Sequence, residues 1–198
     1  MAETGKVYPV DTFVGRAVLS RSTAHKLGQL HDFIVNPVDG ILAGLSVKMT
    51  DGTMQYVESR EIYSIGPDAF MLDNDRSALA PESSPLKALP LAINKLVGVE
   101  VITEGGKTLG HISNIFMHLA EIPVLIYEVS SSLLDKLLGS ALFFTASFGR
   151  AFSAEDARLV VTEDTGEKAD HTLDALANRL FGPPREDDPV VVIRSHSH

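Results

Sequence analysis

Residues 26–35 read KLGQLHDFIV, and residues 108–117 read TLGHISNIFM. Both share one pattern: Leu-Gly, any residue, an apolar residue, any residue, Asp or Asn, and three apolar residues in a row. The two stretches are 82 positions apart, from Gly28 to Gly110. Similar stretches flank them in the same order, with residues 14–19 matching 97–102 and residues 41–47 matching 123–129. Three matched stretches in one order predict an internal repeat.

Each repeat has the pattern of short β-strands separated by turns. Its apolar segments are rich in Val, Ile, Leu and Phe, which favour strands. Residues 36–40 read NPVDG, a loop sequence, and Asp51-Gly52 is the two-residue signal of a β-hairpin. Gly28 and Gly110 are expected at a turn or at a backbone bend that a Cβ would obstruct. Each repeat then ends in a short helical turn, a tight turn and a final strand.

Many short strands must cover their edges, and a small closed barrel does so. The sequence therefore predicts a mainly all-β fold: two tandem small antiparallel β-barrels with a short C-terminal helix and strand. We expect the first barrel at residues 1–78, a Pro-containing linker at 79–94, the second barrel at 95–163 and the extension at 164–198. Barrels of this size have modest cores, so each is expected to lean on its neighbour or on a partner. The sequence leaves open whether the two barrels share one core.

The linker and the extension also have their own patterns. Apolar residues between Leu86 and Leu96 predict that the linker packs on a barrel. In the extension, Asp170 is the expected N-cap of a helix and Gly182 its end. The apolar stripe of that helix consists of Leu173, Leu176, Ala177 and Leu180. Residues 189–193 read PVVVI and predict one last strand.

Composition and charge exclude several classes of function. The 198 residues carry a net charge of −9 and include no cysteine and no tryptophan. Disulfides, thiolate metal sites and cysteine nucleophiles are therefore excluded. Acidic residues are spread along the chain and no segment is basic, which argues against nucleic-acid binding and suits a basic protein partner or simply solubility. The N-terminus lacks the apolar core of a signal peptide, and the uncharged residues 137–149 fall short of the roughly 20 that span a bilayer. We expect a soluble, cytoplasmic protein without a membrane span.

No set of residues predicts a catalytic, metal or cofactor site, and we expect no cofactor. His111 and His118 are seven positions apart, on opposite faces of a strand. The stretch Gly105-Gly106-Lys107-Thr108 lacks the earlier glycine of a phosphate loop, because Val101 stands there. Asp73-Asn74-Asp75 begins like a calcium loop without its later Gly and Glu. No Gly-x-Ser-x-Gly occurs, and a Ser–His–Asp set brought together by the fold stays an open alternative.

The second repeat has an insertion at residues 130–140, SSSLLDKLLGS, where the first turns tightly at Asp51-Gly52. A helix would place four leucines on one side: Leu133, Leu134, Leu137 and Leu138. They are our candidate protein-interaction surface, for a partner or for self-association. The alternative is that they pack over the barrel mouth or on the C-terminal helix. If they form an interface, replacing Leu134 and Leu138 by Asp keeps the fold and changes the oligomeric state measured by light scattering.

A longer motif runs through the first repeat at Gly15, Val18, Leu27, Gly28, Leu30, Asp32, Asn36, Pro37, Asp39, Gly40, Ile62, Ile65, Gly66 and Asp68. This motif resembles the PRC-barrel domain. Two copies would cover residues 10–75 and 93–163, about two thirds of the chain. The second copy departs from the motif where residues 118–122, HLAEI, replace the NPVDG turn.

The resemblance implies a small six-stranded antiparallel barrel that serves as a binding or assembly module. The family includes the cytoplasmic domain of the photosynthetic reaction-centre H subunit and the C-terminal domain of the ribosome maturation factor RimM. Its members share no single ligand, and no binding residue carries over. We therefore predict a non-catalytic adaptor that binds another protein or itself. Two alternatives stay open: an RNA- or ribosome-maturation-linked factor by analogy with RimM, and an enzyme with a site in the groove between the barrels.

Overall fold

The structure is a computed structural model that describes residues 7–66, 68–88, 91–119, 123–131, 140–183 and 191–192. Strands of two sheets make up the bulk of its regular structure, which confirms the mainly all-β fold. The strands in the N-terminal half are β1 Val7–Pro9, β2 Ala17–Ser20, β3 Lys26–Val35, β4 Leu42–Met49, β5 Met54–Glu58, β6 Ile62–Ile65, β7 Ala69–Leu72 and β8 Ala78–Leu79. Those in the C-terminal half are β9 Leu91–Ala92, β10 Glu100–Thr103, β11 Thr108–His118, β12 Val124–Ser130, β13 Leu142–Thr145, β14 Gly149–Ser153, β15 Arg158–Val161 and β16 Val191–Val192.

Helical segments are short. The 3-10 turns are Val10–Phe13, Ser59–Glu61, Pro81–Ser83, Pro85–Ala88, Ile93–Leu96 and Ala146–Phe148. Two of them, Ser59–Glu61 and Ala146–Phe148, occupy the same place in the two repeats, as the predicted helical turns do. Each is followed by two strands and not by the single final strand that the sequence predicts, because residues 62–65 and 149–153 are extended. The α-helices are α1 Thr165–Lys168 and α2 Leu173–Phe181.

The two repeats have one pairing scheme. In the first, β2, β3, β4 and β5 pair in antiparallel order, β6 pairs with β7, and β7 lies parallel to β2. In the second, β10 to β13 pair in the same order, β14 pairs with β15, and β15 lies parallel to β10. Even the register shifts coincide, between Leu30 and Asp32 in β3 and between Ile112 and Asn114 in β11. The sequence repeat is therefore a repeat of barrel-like sheets.

The two repeats exchange short strands. β1 precedes the first repeat but pairs with β11 of the second, with Tyr8 opposite Met117. β9 precedes the second repeat but pairs with β3 of the first, with Leu91 opposite Val35. These two pairings are equivalent, because Leu91 follows Tyr8 by 83 positions and Met117 follows Val35 by 82. The short strand that precedes each repeat thus pairs with the long strand of the other repeat.

The apolar core is continuous across the repeats. One cluster of buried side chains includes Phe33 and Phe70 of the first repeat and Tyr127 and Phe144 of the second. Tyr8, on the exchanged strand β1, packs edge-on against Phe13 at 5.7 Å between ring centroids. The question that the sequence leaves open is answered: the two modest cores expected from barrel size are one shared core. Residues 1–80 alone would expose a large part of it.

The NPVDG loop of the first repeat is inserted against the second repeat. Asn36 and Asp39 close the loop through side-chain hydrogen bonds to the backbone N–H groups of Val38 and Ile41, at 3.0 and 2.9 Å. Gly40 has φ +72°, and a Cβ there would lie 2.5 Å from the Cβ of Ala146. The loop that carries the most distinctive part of the PRC-like motif is therefore one of the contacts between the repeats.

Gly28 and Gly110 lie inside the long strands β3 and β11 at equivalent register shifts. A Cβ on Gly28 would lie 2.3 Å from the carbonyl oxygen of Lys48 on β4, and one on Gly110 would lie 2.5 Å from that of Ser130 on β12. Of the two expectations, a backbone bend that a Cβ obstructs is confirmed for both.

The segments outside the repeats fasten to both sheets. Leu86, Ile93 and Leu96 are buried, so the segment predicted as a linker packs on the barrels. β8 pairs with β5, and β16 pairs with β6, which confirms the last predicted strand. The predicted domain boundaries stay a prediction. β8 includes residues on both sides of the predicted boundary at residue 78, and the short strands β1 and β9 each pair with the other repeat.

The C-terminal helix is present, but its predicted N-cap is wrong. α2 begins after Thr172, whose Oγ1 accepts the hydrogen bond of the Ala175 N–H at 3.2 Å. Asp170 instead accepts from the Arg179 guanidinium at 2.6 Å and pairs its backbone with Phe143 on β13. Of the predicted stripe, Leu176 is buried against Phe116 and Ile126, while Leu180 is exposed. Gly182 ends the helix at φ +79°, as expected.

Candidate interaction surface

The six-stranded sheet of each repeat has two edges, which gives four edges in all. In the first repeat, β8 covers the β5 edge and β16 covers the β6 edge. In the second, the backbones of Phe143 and Asp170 exchange two hydrogen bonds, of 2.8 and 3.0 Å, and so cover the edge of β13. β14 pairs with β15 on one side, and no strand in the described part of the chain pairs with its other side.

β6 and β14 are equivalent strands. Ile65 lies opposite Phe70, which lies opposite Val18 across the sheet. Phe152 lies opposite Leu159, which lies opposite Val101, and Val101 follows Val18 by 83 positions. Ile65 therefore corresponds to Phe152, and Ser64 to Ala151. These are the two β6 positions that β16 pairs with, so β14 presents the same backbone positions without the covering strand.

The β14 edge is anchored at its start and open along its middle. Gly149 is buried, and a Cβ there would lie 2.3 Å from the Val38 carbonyl oxygen of the inserted loop. The corresponding residue in β6 is the buried Ile62, so the glycine makes room for the other repeat. Arg150 and Ala151 are exposed, and Phe152 is half-buried. An accessible backbone edge beside a half-buried aromatic ring is the geometry to which an extended peptide can add as a strand.

The surroundings of β14 are acidic. Residues 149–170 contain six acids, Glu155, Asp156, Glu163, Asp164, Glu167 and Asp170, against three bases, Arg150, Arg158 and Lys168. All three bases have acidic partners of their own, and Arg150 Nε lies 4.0 Å from Glu104 Oε1. Arg158 donates to Glu100 at 2.8 Å, and Lys168 pairs with Asp164, whose pKa that contact lowers together with the Thr162 hydroxyl. Glu155 is exposed in the turn after β14. The local field therefore favours a basic ligand.

Two buried polar contacts join the repeats, and sequence reasoning missed both. The Tyr127 hydroxyl of β12 donates to the Pro37 carbonyl of the inserted loop at 3.1 Å. Burial raises the pKa of this phenol, and the Asp39 carboxylate adds to the rise. Asp32 in β3 is 2% exposed and accepts from the N–H groups of Phe33 at 2.8 Å and of Asn94 at 3.4 Å.

Burial also raises the pKa of Asp32, and these backbone hydrogen bonds oppose the rise only in part. The corresponding residue in the second repeat is Asn114, which accepts from the Ile115 N–H at 2.9 Å without a charge. The sequence shows that Asp32 and Asn114 stand at matching positions. It does not show that the Asp32 carboxylate accepts a hydrogen bond from Asn94, at the start of the second repeat.

The leucine surface predicted from the sequence lies outside the described residues. Leu133, Leu134, Leu137 and Leu138 all belong to the segment 132–139, so their role in an interface stays a prediction.

A cluster of Ser, Thr, His and Asp forms beside the turn between β2 and β3. Asp75 accepts from Thr23 Oγ1 at 2.6 Å and lies 3.6 Å from His25 Nδ1, and hydrogen bonds from Ser20 and Thr23 lower its pKa. Ser20 is also within 3.1 Å of Ser22. These contacts fasten the exposed β2–β3 turn to Asp75, because the hydroxyls are directed to the carboxylate and to each other. In the second repeat, the β10–β11 turn is fastened in a similar way, since Glu163 accepts from the Gly105 N–H at 2.7 Å.

The remaining sequence motifs have structural roles. Gly105 and Gly106 form the turn between β10 and β11, and Gly106 has φ +83°. His111 is exposed, whereas His118 is buried and stacks on Phe181 at 3.6 Å between ring centroids. Within the described ranges, no three His, Asp or Glu side chains are grouped to hold a metal ion. No helix among those residues has the length and apolar character to cross a membrane.

Comparisons with known proteins add little to this geometry. No family model and no curated protein matches the chain. One similar solved structure is a protein of Pseudomonas aeruginosa described as a 16S ribosomal RNA processing protein, RimM. It is 18% identical, the match covers 69% of this chain and 98% of that chain, and the TM-score is 0.26. A likeness at this level carries no argument about function, and membership of the PRC-barrel family stays a prediction from the motifs.

Proposed function

We propose that the protein is a non-catalytic binding module that takes an extended segment of a protein partner as an added strand on β14. The observation that carries the proposal is the difference between equivalent edges. β16 covers Ser64 and Ile65 of β6, and the matching positions Ala151 and Phe152 of β14 have no such strand among the described residues. Main-chain hydrogen bonds to the edge would supply affinity, and side-chain contacts with Phe152 would supply selectivity.

Charge defines the chemistry of the partner. The acids around β14, with Glu155 exposed next to the strand, favour a segment with Lys or Arg near its paired residues. The chain as a whole carries a charge of −9, which repels the phosphates of RNA. A basic protein segment is therefore favoured over the alternative of direct RNA contact.

Selection from displayed random peptides on the full-length protein tests the proposal. We expect enrichment of extended sequences that combine β-branched and basic residues and contain no proline in their centre. Hydrogen exchange with a selected peptide bound should slow at residues 150–153 and leave the covered edge strand β5 unchanged. Selected peptides that slow exchange only elsewhere would contradict a β14 site.

The RNA-linked alternative has its own signature. If the protein contacts RNA directly, its affinity for RNA falls steeply with rising salt, with a slope that reports the number of phosphates neutralised. The binding module proposed here shows no such affinity for RNA, and its affinity for a basic peptide falls only modestly with salt. High-affinity, salt-sensitive RNA binding would overturn the proposal.

A further inference from the structure

We infer that β6 is a second strand-accepting edge and that the chain's own C-terminal strand β16 occupies it as a displaceable internal ligand. The inference rests on the proposed function of β14, because it assigns the same activity to the equivalent edge. It also names the kind of segment that the β6 edge takes.

The first step is the size of the contact between β16 and β6. Two residue pairs join them in the described chain, Val191 with Ile65 and Val192 with Ser64. β8 also forms only two pairs with β5, but β8 lies between the buried Ser77 and Leu86, which hold it on both sides. An isolated pairing of two residues is too small to be stable by itself in water. It persists here because the tail is tethered, and a short tether raises the local concentration of the tail to roughly the millimolar range. A partner segment that forms more than two pairs can therefore displace it.

The second step is the sequence of the tail. Residues 190–194 read VVVIR, a run of β-branched apolar residues followed by a base. β-Branched side chains favour the extended conformation that an edge strand requires. The tail thus indicates the kind of ligand that the β6 edge accepts: an extended Val- or Ile-rich segment.

The third step is the consequence for partners. With β16 in place, β14 is the accepting edge among the described residues. With β16 displaced, β6 joins it with the same register, on two repeats that share a core. A partner with two such segments then gains avidity over a partner with one, without any new kind of contact.

The experiment uses the full-length protein and a synthetic peptide of residues 188–195, DPVVVIRS. In the variant with Val191→Pro and Val192→Pro, the tail loses its ability to donate to the β6 ladder. The matched control is Ser195→Pro, three positions after the second of the two described pairs. Peptide stoichiometry is measured by titration calorimetry, and the occupied strands are identified by hydrogen exchange. A second peptide with Val192 replaced by Pro controls for binding that does not involve strand pairing.

Because β16 competes for β6, we expect protection at residues 62–65 to appear at a lower peptide concentration in the variant than in the wild type or the Ser195→Pro control. The same concentration dependence in all three proteins, or extra binding without protection at 62–65, would overturn the inference. The proposed function fails separately, if the wild type gains no protection at residues 150–153. Equal binding of the proline-containing peptide would count against both, because strand pairing would then not be the mode of binding.

Discussion

The two repeats share one strand order and yet differ at the places where they meet other parts of the chain. In the first repeat the NPVDG loop reaches into its neighbour, and the β6 edge is covered. In the second, Gly149 makes room for that loop, and no strand of the described residues covers the β14 edge. Two copies of one strand order thus differ in which edge a described strand covers, and the proposed function assigns the uncovered edge to a partner.

The largest expected effect comes from separating the repeats. A chain of residues 1–80 lacks β9, and its own β1 has lost its partner β11. We expect no cooperative melt from this fragment in a thermal scan followed by circular dichroism, because the shared core is exposed. Mixing it with residues 81–198 should restore a cooperative transition. A fragment that melts cooperatively alone would show that the two repeats are independent after all.

The inserted loop is tested by comparing two glycines. Gly40→Ala meets the Cβ of Ala146 at 2.5 Å, whereas Gly52→Ala, at the similar φ of +87°, has no atom within 4 Å. Backbone strain should cost about 1–2 kcal/mol at both positions, and overpacking a further 1–3 kcal/mol at Gly40 only. Urea unfolding measures the two free energies. Equal losses would mean that the loop contact is not tight.

A smaller effect separates Asp32 from its counterpart Asn114. The pKa of Asp32 is raised in the folded protein above the ordinary value of 3.8. Its contribution to the free energy of unfolding is therefore fully present below pH 3.8 and is lost as the pH rises through the raised pKa. Asp32→Asn removes this loss, so its stability relative to the wild type should increase from acidic to neutral pH.

The reciprocal change Asn114→Asp should introduce the opposite trend. Chemical unfolding across this pH range checks both variants, and a difference between Asp32→Asn and the wild type that does not vary with pH would contradict the assignment.

The smallest effect concerns the hydroxyl of Tyr127. Tyr127→Phe keeps the ring in the core and removes one buried hydrogen bond to Pro37, so we expect a loss of about 1 kcal/mol in the free energy of unfolding. Denaturant unfolding should show a lower midpoint at an unchanged slope. An unchanged midpoint would indicate that water replaces the contact at no cost.

Much of each barrel could be predicted from local signals. Glycines at 28 and 110, the NPVDG loop and the Asp51-Gly52 hairpin each have a conformational requirement that acts over a few residues. The same holds for the helical turns before the last strands. Because these signals depend only on neighbouring residues, they can be recognised in the sequence without knowledge of the rest of the fold.

The exchange of β1 and β9 could not be predicted in this way. Residues 7–9 and 91–92 are too short to carry a strand pattern, and their partners lie on the opposite repeat. The open edge was equally hidden: the sequence predicts a strand at 189–193, but nothing in it indicates whether that strand pairs with β6 or with β14. Both features depend on long-range pairing, for which the only signal was the repeat itself.

Hydrogen exchange of the free full-length protein tests the central difference between the two edges most directly. The amides of β6 and β14 occupy equivalent positions, so any difference in their protection reports the covering strand. Successive amides of a strand point to opposite sides, so one amide of residues 64 and 65, and the matching one of 151 and 152, faces the outer edge. We expect this outer amide to exchange more slowly in β6 than in β14, and the Val191→Pro and Val192→Pro changes to remove the difference. Equal protection of the two strands in the wild type would contradict an open β14 edge and, with it, the proposed function.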